Sequence, residues 1–211
     1  MVDDRIATVD QRVGNNAVML EKPVGGGVDH LVFVVHTVLK RRQVLHRQRL
    51  YQQGRVRAIG VSNFFPDRLV DLCQFVEIRP MVNQVELHPY FTQESALETM
   101  KYYEVQPEAW APLGGGRYKP FDDPMLQKIA AAHGKTVGQV ILRWNVQRGV
   151  VVIPKSTHKE RIEENIDIWD FTLTEEEMKR IASLDMGYEG TAVKHFDTEF
   201  VRMCNQRKIH N

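Results

Sequence analysis

The sequence is short of everything that would commit it to a membrane, a disulfide scaffold or a polyanion. Its two cysteines, Cys73 and Cys204, are too few for a disulfide framework or a zinc cluster. Both read as reduced thiols of a cytoplasmic protein, with Cys73 in the core. No run approaches the ~20 consecutive apolar residues that span a bilayer. The opening MVDDRIATVD has neither a basic start nor an apolar centre, so a secretory signal is not expected there. An excess of one charge is also missing. Lys and Arg number 28 against 27 Asp and Glu, and a formal net charge of +1 creates no global field for nucleic acid or an anionic membrane. What remains is an ordinary globular balance, 43% hydrophobic and 26% charged over 211 residues, enough for one domain with a sizeable core.

The patterning changes near residue 54. Before it, residues 1–50 show no sustained helical or strand period and are left as an unassigned segment. Leu31 to Val35 is an apolar run that predicts one buried strand, and KRRQVLHRQRLYQQ after it predicts a basic, solvated helix. The glycines Gly25 to Gly27 lack the Gly-x-Gly-x-x-Gly spacing and a clear preceding strand, and read as a flexible break rather than a phosphate loop.

After residue 54 strands and helices alternate. Val56–Val61, Met81–Leu87, Val105–Ala111 and Val150–Ile153 read as short strands. Pro66 with Asp67 opens a helix in first-turn chemistry, and Leu69, Leu72, Cys73 and Val76 line one face of it. Further helices are expected from about Gln93 to Tyr103 and around Met125 to His133. Another carries Val137, Val140, Ile141 and Trp144 on one stripe, with Thr136 and Gln139 as its capping box. Two more boxes are read from spacing: Thr157 with Glu160, and Thr174 with Glu177. Four strand–helix units in a row predict a parallel α/β sheet, half of a (β/α)8 TIM-type barrel. A Rossmann-type sheet also fits the alternation and ranks second, because no glycine fingerprint follows the first strand.

Polar residues gather at the carboxyl ends of these strands, where parallel α/β folds build their sites. The ends read Gly60-Val61-Ser62-Asn63, Asn83-Gln84-Val85-Glu86 through His88, Trp110-Ala111-Pro112-Leu113-Gly114-Gly115-Gly116, and Ile153-Pro154-Lys155-Ser156-Thr157. For Ser62 and Asn63 alone, the simpler reading is that they cap the helix at Pro66. Trp144, on its apolar stripe, reads as core. Lys155 and Arg161 add positive charge, and Ser156 a hydroxyl, at a strand end and helix start where backbone N–H groups favour an anion.

In this order and spacing, AIGVSNF, NQVELHP, AWAPLGGG and IPKSTHKERIEENIDIWDF resemble the aldo-keto reductase superfamily. The similarity covers roughly residues 50–210 and is nearest to bacterial and plant-type reductases resembling 2,5-diketogluconate reductases. The resemblance implies a (β/α)8 barrel of which residues 51–211 supply the second, cofactor-binding half and a C-terminal substrate-type loop. It implies an NADPH-dependent oxidoreductase that reduces an aldehyde or ketone, a small-molecule carbonyl, to an alcohol. By resemblance, Ser62, Asn63 and Gln84 hydrogen-bond the nicotinamide carboxamide and Trp110 stacks on its ring. Leu113 and Gly114 to Gly116 form the pyrophosphate loop. Lys155, Ser156 and Arg161 take the 2′-phosphate, which favours NADPH over NADH, and Glu164 and Asn165 meet the adenine. The tail from Met186, with His195 and Phe196, resembles the family's substrate loop.

The family's catalytic aspartate, tyrosine and lysine have no counterpart in residues 1–50, which contain no tyrosine at all. His36, after the Leu31–Val35 run, stands where the fourth catalytic residue, a histidine, would be; a solvent-facing histidine is the competing reading. The edge of the resemblance near Tyr51 predicts a truncated, fused or frame-shifted gene upstream. A catalytically silent NADPH-binding protein or a gene remnant is therefore the alternative expectation. A half barrel leaves open strand edges, for which homodimerisation is the expected remedy.

Overall fold

The computed structural model describes residues 41–195 and 197–206, together with short strands at 18–19 and 31–35. The expectations for Gly25 to Gly27, His36, Phe196 and the Cys204 side chain lie outside the described residues. The chain divides into two compact units. The first takes the described parts of Ala7–Val85, Glu94–Pro107 and Val193–Asn211; the second contains Glu86–Gln93 and Glu108–Ala192.

In the first unit, β1 (Val18–Met19) pairs antiparallel with β2 (Leu31–Val35). The basic helix α1 (Arg41–Gln52) follows, then β3 (Ala58–Ser62), parallel to β2 with Val32 opposite Ala58 and Val35 opposite Val61. Helix α1 was expected to be solvated, but Gln48 is buried on it and its Nε2 donates to the Ile78 carbonyl at 3.1 Å. A basic composition conceals one covered side. Helix α2 (Pro66–Phe75) begins on proline, whose fixed φ suits the first turn and whose missing N–H would have been unpaired there anyway. It buries Leu69 and Cys73. Leu69 is 1% exposed, a burial that contributes roughly 1.5–3 kcal/mol. Burial also pushes the Cys73 thiol up from its ordinary value, so it sits as a neutral core residue.

Strand β4 (Val82–Glu86) runs parallel to β3, with Gly60 opposite Val82 and Ser62 opposite Gln84. A β-carbon on Gly60 would stand 2.9 Å from the Val82 carbonyl oxygen, so glycine is what allows the two strands this close at that point. Helix α3 (Glu94–Tyr102) buries Ala96 and Met100 and leads into β5 (Gln106–Trp110), whose Gln106 N–H donates to the Met81 carbonyl at 2.8 Å.

In the second unit, the N–H of Leu87, just past β4, donates to the carbonyl of Trp110 at the end of β5. A tight turn at Gly114–Gly116 and another at Pro120–Asp122 precede α4 (Pro124–His133). Asp123 caps α4, accepting from the N–H groups of Met125 and Leu126 at 2.9 and 3.0 Å, with Pro124 at the first helical position. That cap was not read from the sequence, although Asp-Pro at a helix start signals it. Helix α5 (Val137–Gln147) has the Thr136–Gln139 capping box, and Trp144 on its apolar stripe is fully buried, its Nε1 donating to the Met178 carbonyl.

Strand β6 (Val151–Val152) pairs parallel with β5, Glu108 opposite Val151. The expected strand Val150–Ile153 is thus shorter in its ladder. The next helix, α6 (Lys159–Ile166), starts at His158 without a side-chain cap, and the expected Thr157–Glu160 box is absent. The reason is local. The Ser156 hydroxyl accepts from the His158 N–H at 3.1 Å, a turn that places Thr157 before the cap position. Helix α7 (Glu175–Ala182) carries the expected Thr174–Glu177 box. The last helix, α8 (Thr198–Gln206), belongs to the first unit.

Successive strand–helix repeats from β3–α2 to β6–α6, with parallel pairing inside each unit, make this an α/β chain of the kind expected for part of a (β/α)8 barrel. Among the described residues no helix is long and apolar enough to cross a membrane.

Candidate functional site

The polar strand ends form three groupings. The first lies in the first unit, where β3 and β4 bring Ser62, Asn63 and Gln84 together at 1%, 5% and 8% exposure. The Asn63 Nδ2 donates to the Ser62 hydroxyl at 3.2 Å, and its backbone N–H donates to the Gln84 carbonyl at 2.8 Å. Asn63 has φ +56°, a left-handed conformation that asparagine tolerates better than most residues. Neither residue caps α2, whose cap is Phe65 without a side-chain bond, so the simpler capping reading fails.

Asn83, which the sequence reading did not single out, holds this turn from behind. Its Nδ2 donates to the Phe64 carbonyl at 2.8 Å and its Oδ1 accepts from the Phe64 N–H at 3.3 Å. Side chains alternate along a strand, so Asn83 and Gln84 face opposite ways and cannot serve one ligand together. That periodicity was the available signal.

The second grouping lies entirely in the second unit and surrounds a cavity of about 730 Å³. Leu113, Lys155, Ser156, Arg161, Glu164 and Asn165, all expected site residues, line it; Trp110 and Gly114 do not. One wall is the glycine turn. Gly114, Gly115 and Gly116 have φ of +81°, +58° and +81°, a succession that other residues would adopt only under strain. The segment after β6 and residues of α6 also line the cavity. Lys155, Arg161 and Glu164 are exposed, and among the described residues the side chains of Lys155 and Arg161 make no salt bridge or hydrogen bond. Phe121 and Gly138, also on the lining, were not anticipated.

Two unpaired cations, a hydroxyl and a glycine turn suit an anionic, phosphate-bearing ligand. An exposed carboxylate and an amide beside them can meet the donors and acceptors of a purine base. The donor set therefore suits a phosphate-bearing nucleotide.

The third grouping was missed. Glu86, at the end of β4, is 3% exposed and accepts from the Thr191 hydroxyl at 2.7 Å and from the Ala192 N–H at 2.9 and 2.8 Å. His88 Nε2 lies 3.3 Å from its Oε1. A carboxylate only accepts, so the imidazole carries a proton on Nε2. Burial works to raise the Glu86 carboxyl, but the bonds from His88, Thr191 and Ala192 outweigh it and hold the group below the ordinary carboxylate range. Thr191 and Ala192 lie 105 and 106 residues away in sequence, and no local pattern announces them.

The sequence model described as "Aldo/keto reductase family" matches residues 41–186. The chain belongs to the aldo/keto reductase family. It is 50% identical over 139 residues to the 9,11-endoperoxide prostaglandin H2 reductase of Trypanosoma cruzi (strain CL Brener), covering 65% of this chain and 49% of that protein. It is 49% identical over 138 residues to the glyoxal reductase of Bacillus subtilis (strain 168), with the same two coverages of 65% and 49%. The chain thus spans about half the length of the curated relatives it matches. Among solved structures, MGS-M4, an aldo-keto reductase from a Medee basin deep-sea metagenome library, superposes with a TM-score of 0.74 at 39% identity, covering 79% of this chain and 63% of that one. An aldo-keto reductase complexed with NADPH does so with a TM-score of 0.72 at 28% identity, covering 81% and 59%.

Proposed function

We propose that this aldo/keto reductase-family chain binds NADPH and serves NADPH-dependent reduction of an aldehyde or ketone to an alcohol. The observation that carries the reading is that Lys155 and Arg161, two cations whose side chains are unpaired among the described residues, line the 730 Å³ cavity together with Ser156. A phosphate on the adenosine ribose meets three donors there, whereas NADH offers only a hydroxyl. Glu164 and Asn165 take the adenine edge, and the Gly115–Gly116 backbone leaves room for the pyrophosphate. In the other unit, Ser62, Asn63 and Gln84 carry the hydroxyl and amide groups that suit the mixed donors and acceptors of a carboxamide. Trp110 offers a flat platform to the nicotinamide. When bound, the cofactor supplies the hydride.

The test is titration with NADPH and with NADH, followed by quenching of tryptophan fluorescence. NADPH is expected to bind roughly 10- to 100-fold more tightly, the worth of one to two charge-assisted contacts. Equal affinities, or no saturable binding, would sink the reading.

A second reading, binding without turnover, is favoured by the lack of any tyrosine in residues 1–50 to protonate a carbonyl oxygen. Carbonyl-dependent loss of NADPH absorbance on the purified chain separates the two readings.

A further inference from the structure

In the second unit, the segment from Asp185 to Ala192 runs along the loop that leaves β4 and is fastened to it at both ends. At its start, the Thr92 N–H donates to Asp185 Oδ1 at 2.9 Å and the Met186 N–H donates to the Tyr90 carbonyl at 3.0 Å. In its middle, Gly190 lies so close to the Tyr90 carbonyl that a β-carbon would overlap it. At its end, Glu86 receives Thr191 and Ala192. This last fastening differs in kind, since a single buried carboxylate collects the strap's hydroxyl and backbone donors as well as His88.

The same strap is also bonded to the turn that walls the dinucleotide cavity. The Tyr118 hydroxyl donates to the Glu189 carbonyl at 3.1 Å, and Arg117 Nη1 donates to the Thr191 carbonyl at 3.4 Å. These two residues follow directly on Gly114–Gly116. Tyr118 stacks on Tyr90 with ring centroids 4.6 Å apart and lies 5.3 Å from the His88 ring, so turn, strap and β4 exit share one packed cluster. The glycine turn is a poor candidate for holding itself in place. Three successive left-handed glycines have more freedom to lose than any other sequence and no side chains to pack. Two backbone bonds close it, from the Gly114 N–H to the Ala111 carbonyl and from the Arg117 N–H to the Gly114 carbonyl, and the side chains of Arg117 and Tyr118 tie it to the strap.

We propose that Glu86 is a positioning residue that couples the cofactor-facing turn to the C-terminal strap. It fixes Thr191 and Ala192, these fix Arg117 and Tyr118 through the strap's carbonyls, and the glycine turn follows. Filling of the cavity therefore orders the strap, and the strap's anchorage in turn sets how tightly the turn closes. The role of the cavity rests on the NADPH reading above; the mechanical link between Glu86 and the turn does not.

Residue-resolved amide hydrogen exchange on the whole chain, with and without NADPH, tests both parts. In the wild type, NADPH is expected to slow exchange in 113–118 and also at Ala192. Glu86→Gln leaves one acceptor oxygen where there were two and removes the charge. Without cofactor it is expected to speed exchange at least about ten-fold at Ala192 and also at Arg117 and Tyr118. Tyr118→Phe keeps the stacked ring and deletes only the bond to Glu189; with the Arg117–Thr191 bond as the remaining link, it is expected to weaken the NADPH-induced slowing at Ala192. A merely structural Glu86 would lower the unfolding midpoint and leave that transmitted slowing intact.

Loosening by Glu86→Gln that is confined to the strap, or Tyr118→Phe with wild-type transmission, overturns the coupling. Should Glu86→Gln fail to fold, Thr191→Val and Tyr118→Phe decide on the same readouts. Should the wild type bind no NADPH, the cofactor reading falls, while the cofactor-free comparison still decides the mechanical link.

Discussion

Ser62, Asn63 and Gln84 are at most 8% exposed, with Asn63 held in a left-handed turn by bonds to its own neighbourhood. Lys155, just past β6, and Arg161 and Glu164, on a helix that buries nothing of its own, stand in solvent on the wall of the second unit's cavity. The first cluster is pre-formed at the expense of tolerance: its polar atoms are out of water and must be satisfied by the fold. The second is assembled from side chains that water can solvate, and under the proposed NADPH reading it would discriminate by charge. A change in the first should therefore be read as lost stability, and a change in the second as lost affinity.

The sharpest break of that contrast is Asn83→Ala. It leaves both the N–H and the carbonyl of Phe64 without their side-chain partner in a fully buried place, and is expected to cost about 2–4 kcal/mol. Urea denaturation measures it; a midpoint equal to that of the wild type would show that the turn at Asn63 does not need its scaffold. Lys155→Ala should do the converse. The unfolding midpoint is expected to stay where it is, while the dissociation constant for NADPH rises roughly 10- to 100-fold and that for NADH hardly moves. Because Lys155 is exposed, the NADPH preference should also shrink with added salt. An equal loss for both nucleotides would remove Lys155 from phosphate recognition.

How much of this was legible in the sequence depended on the range of the interactions. Leu31–Val35 reappears as β2 with the same bounds, because a bare apolar run between polar flanks needs only local information. The boxes at Thr136 and Thr174 were equally local. The cavity wall of Lys155, Ser156, Arg161, Glu164 and Asn165 was legible through family resemblance, since strand end and helix face follow each other directly in the chain. Glu86 was not. In the sequence it is one more polar residue of a strand end, and its bonds to Thr191 and Ala192 span 105 and 106 positions. Asn83 was passed over for a different reason: it stands beside Gln84, and only the alternation of strand side chains separates their duties.

Glu86 adds charge to the contrast, being as buried as the amide cluster yet ionised. Its folded carboxyl lies below the ordinary range, and the unfolded value is about 4.3. The sign follows from linkage. A depressed carboxyl contributes stability that is present above the unfolded pKa and is lost as pH falls through the folded one. Denaturation midpoints should accordingly fall on acidification below about pH 4. The fall should be shallower in Glu86→Gln. It should not vanish, because Glu177 is lowered in the same sense: burial opposes this, and Thr174 and His133 prevail. A variant curve parallel to the wild type throughout would show that Glu86 does not titrate with unfolding.

The smallest effect is expected at Thr157, and it separates spacing from geometry. Thr157 and Glu160 have the sequence of a capping box, whose loss typically costs about 1 kcal/mol. The chain nevertheless starts α6 at His158, after a turn closed by the Ser156 hydroxyl. Thr157→Ala should therefore leave the denaturation midpoint unchanged, whereas Thr136→Ala, at a box that does form, should lower it. Ser156→Ala removes the turn and the hydroxyl facing the cavity together, so it should weaken NADPH binding before it affects folding. A destabilised Thr157→Ala would mean that the helix begins one residue earlier in solution. The first exposed N–H groups of α6 would then be occupied by the threonine, and the wall's affinity for a phosphate would rest on Lys155 and Arg161 alone.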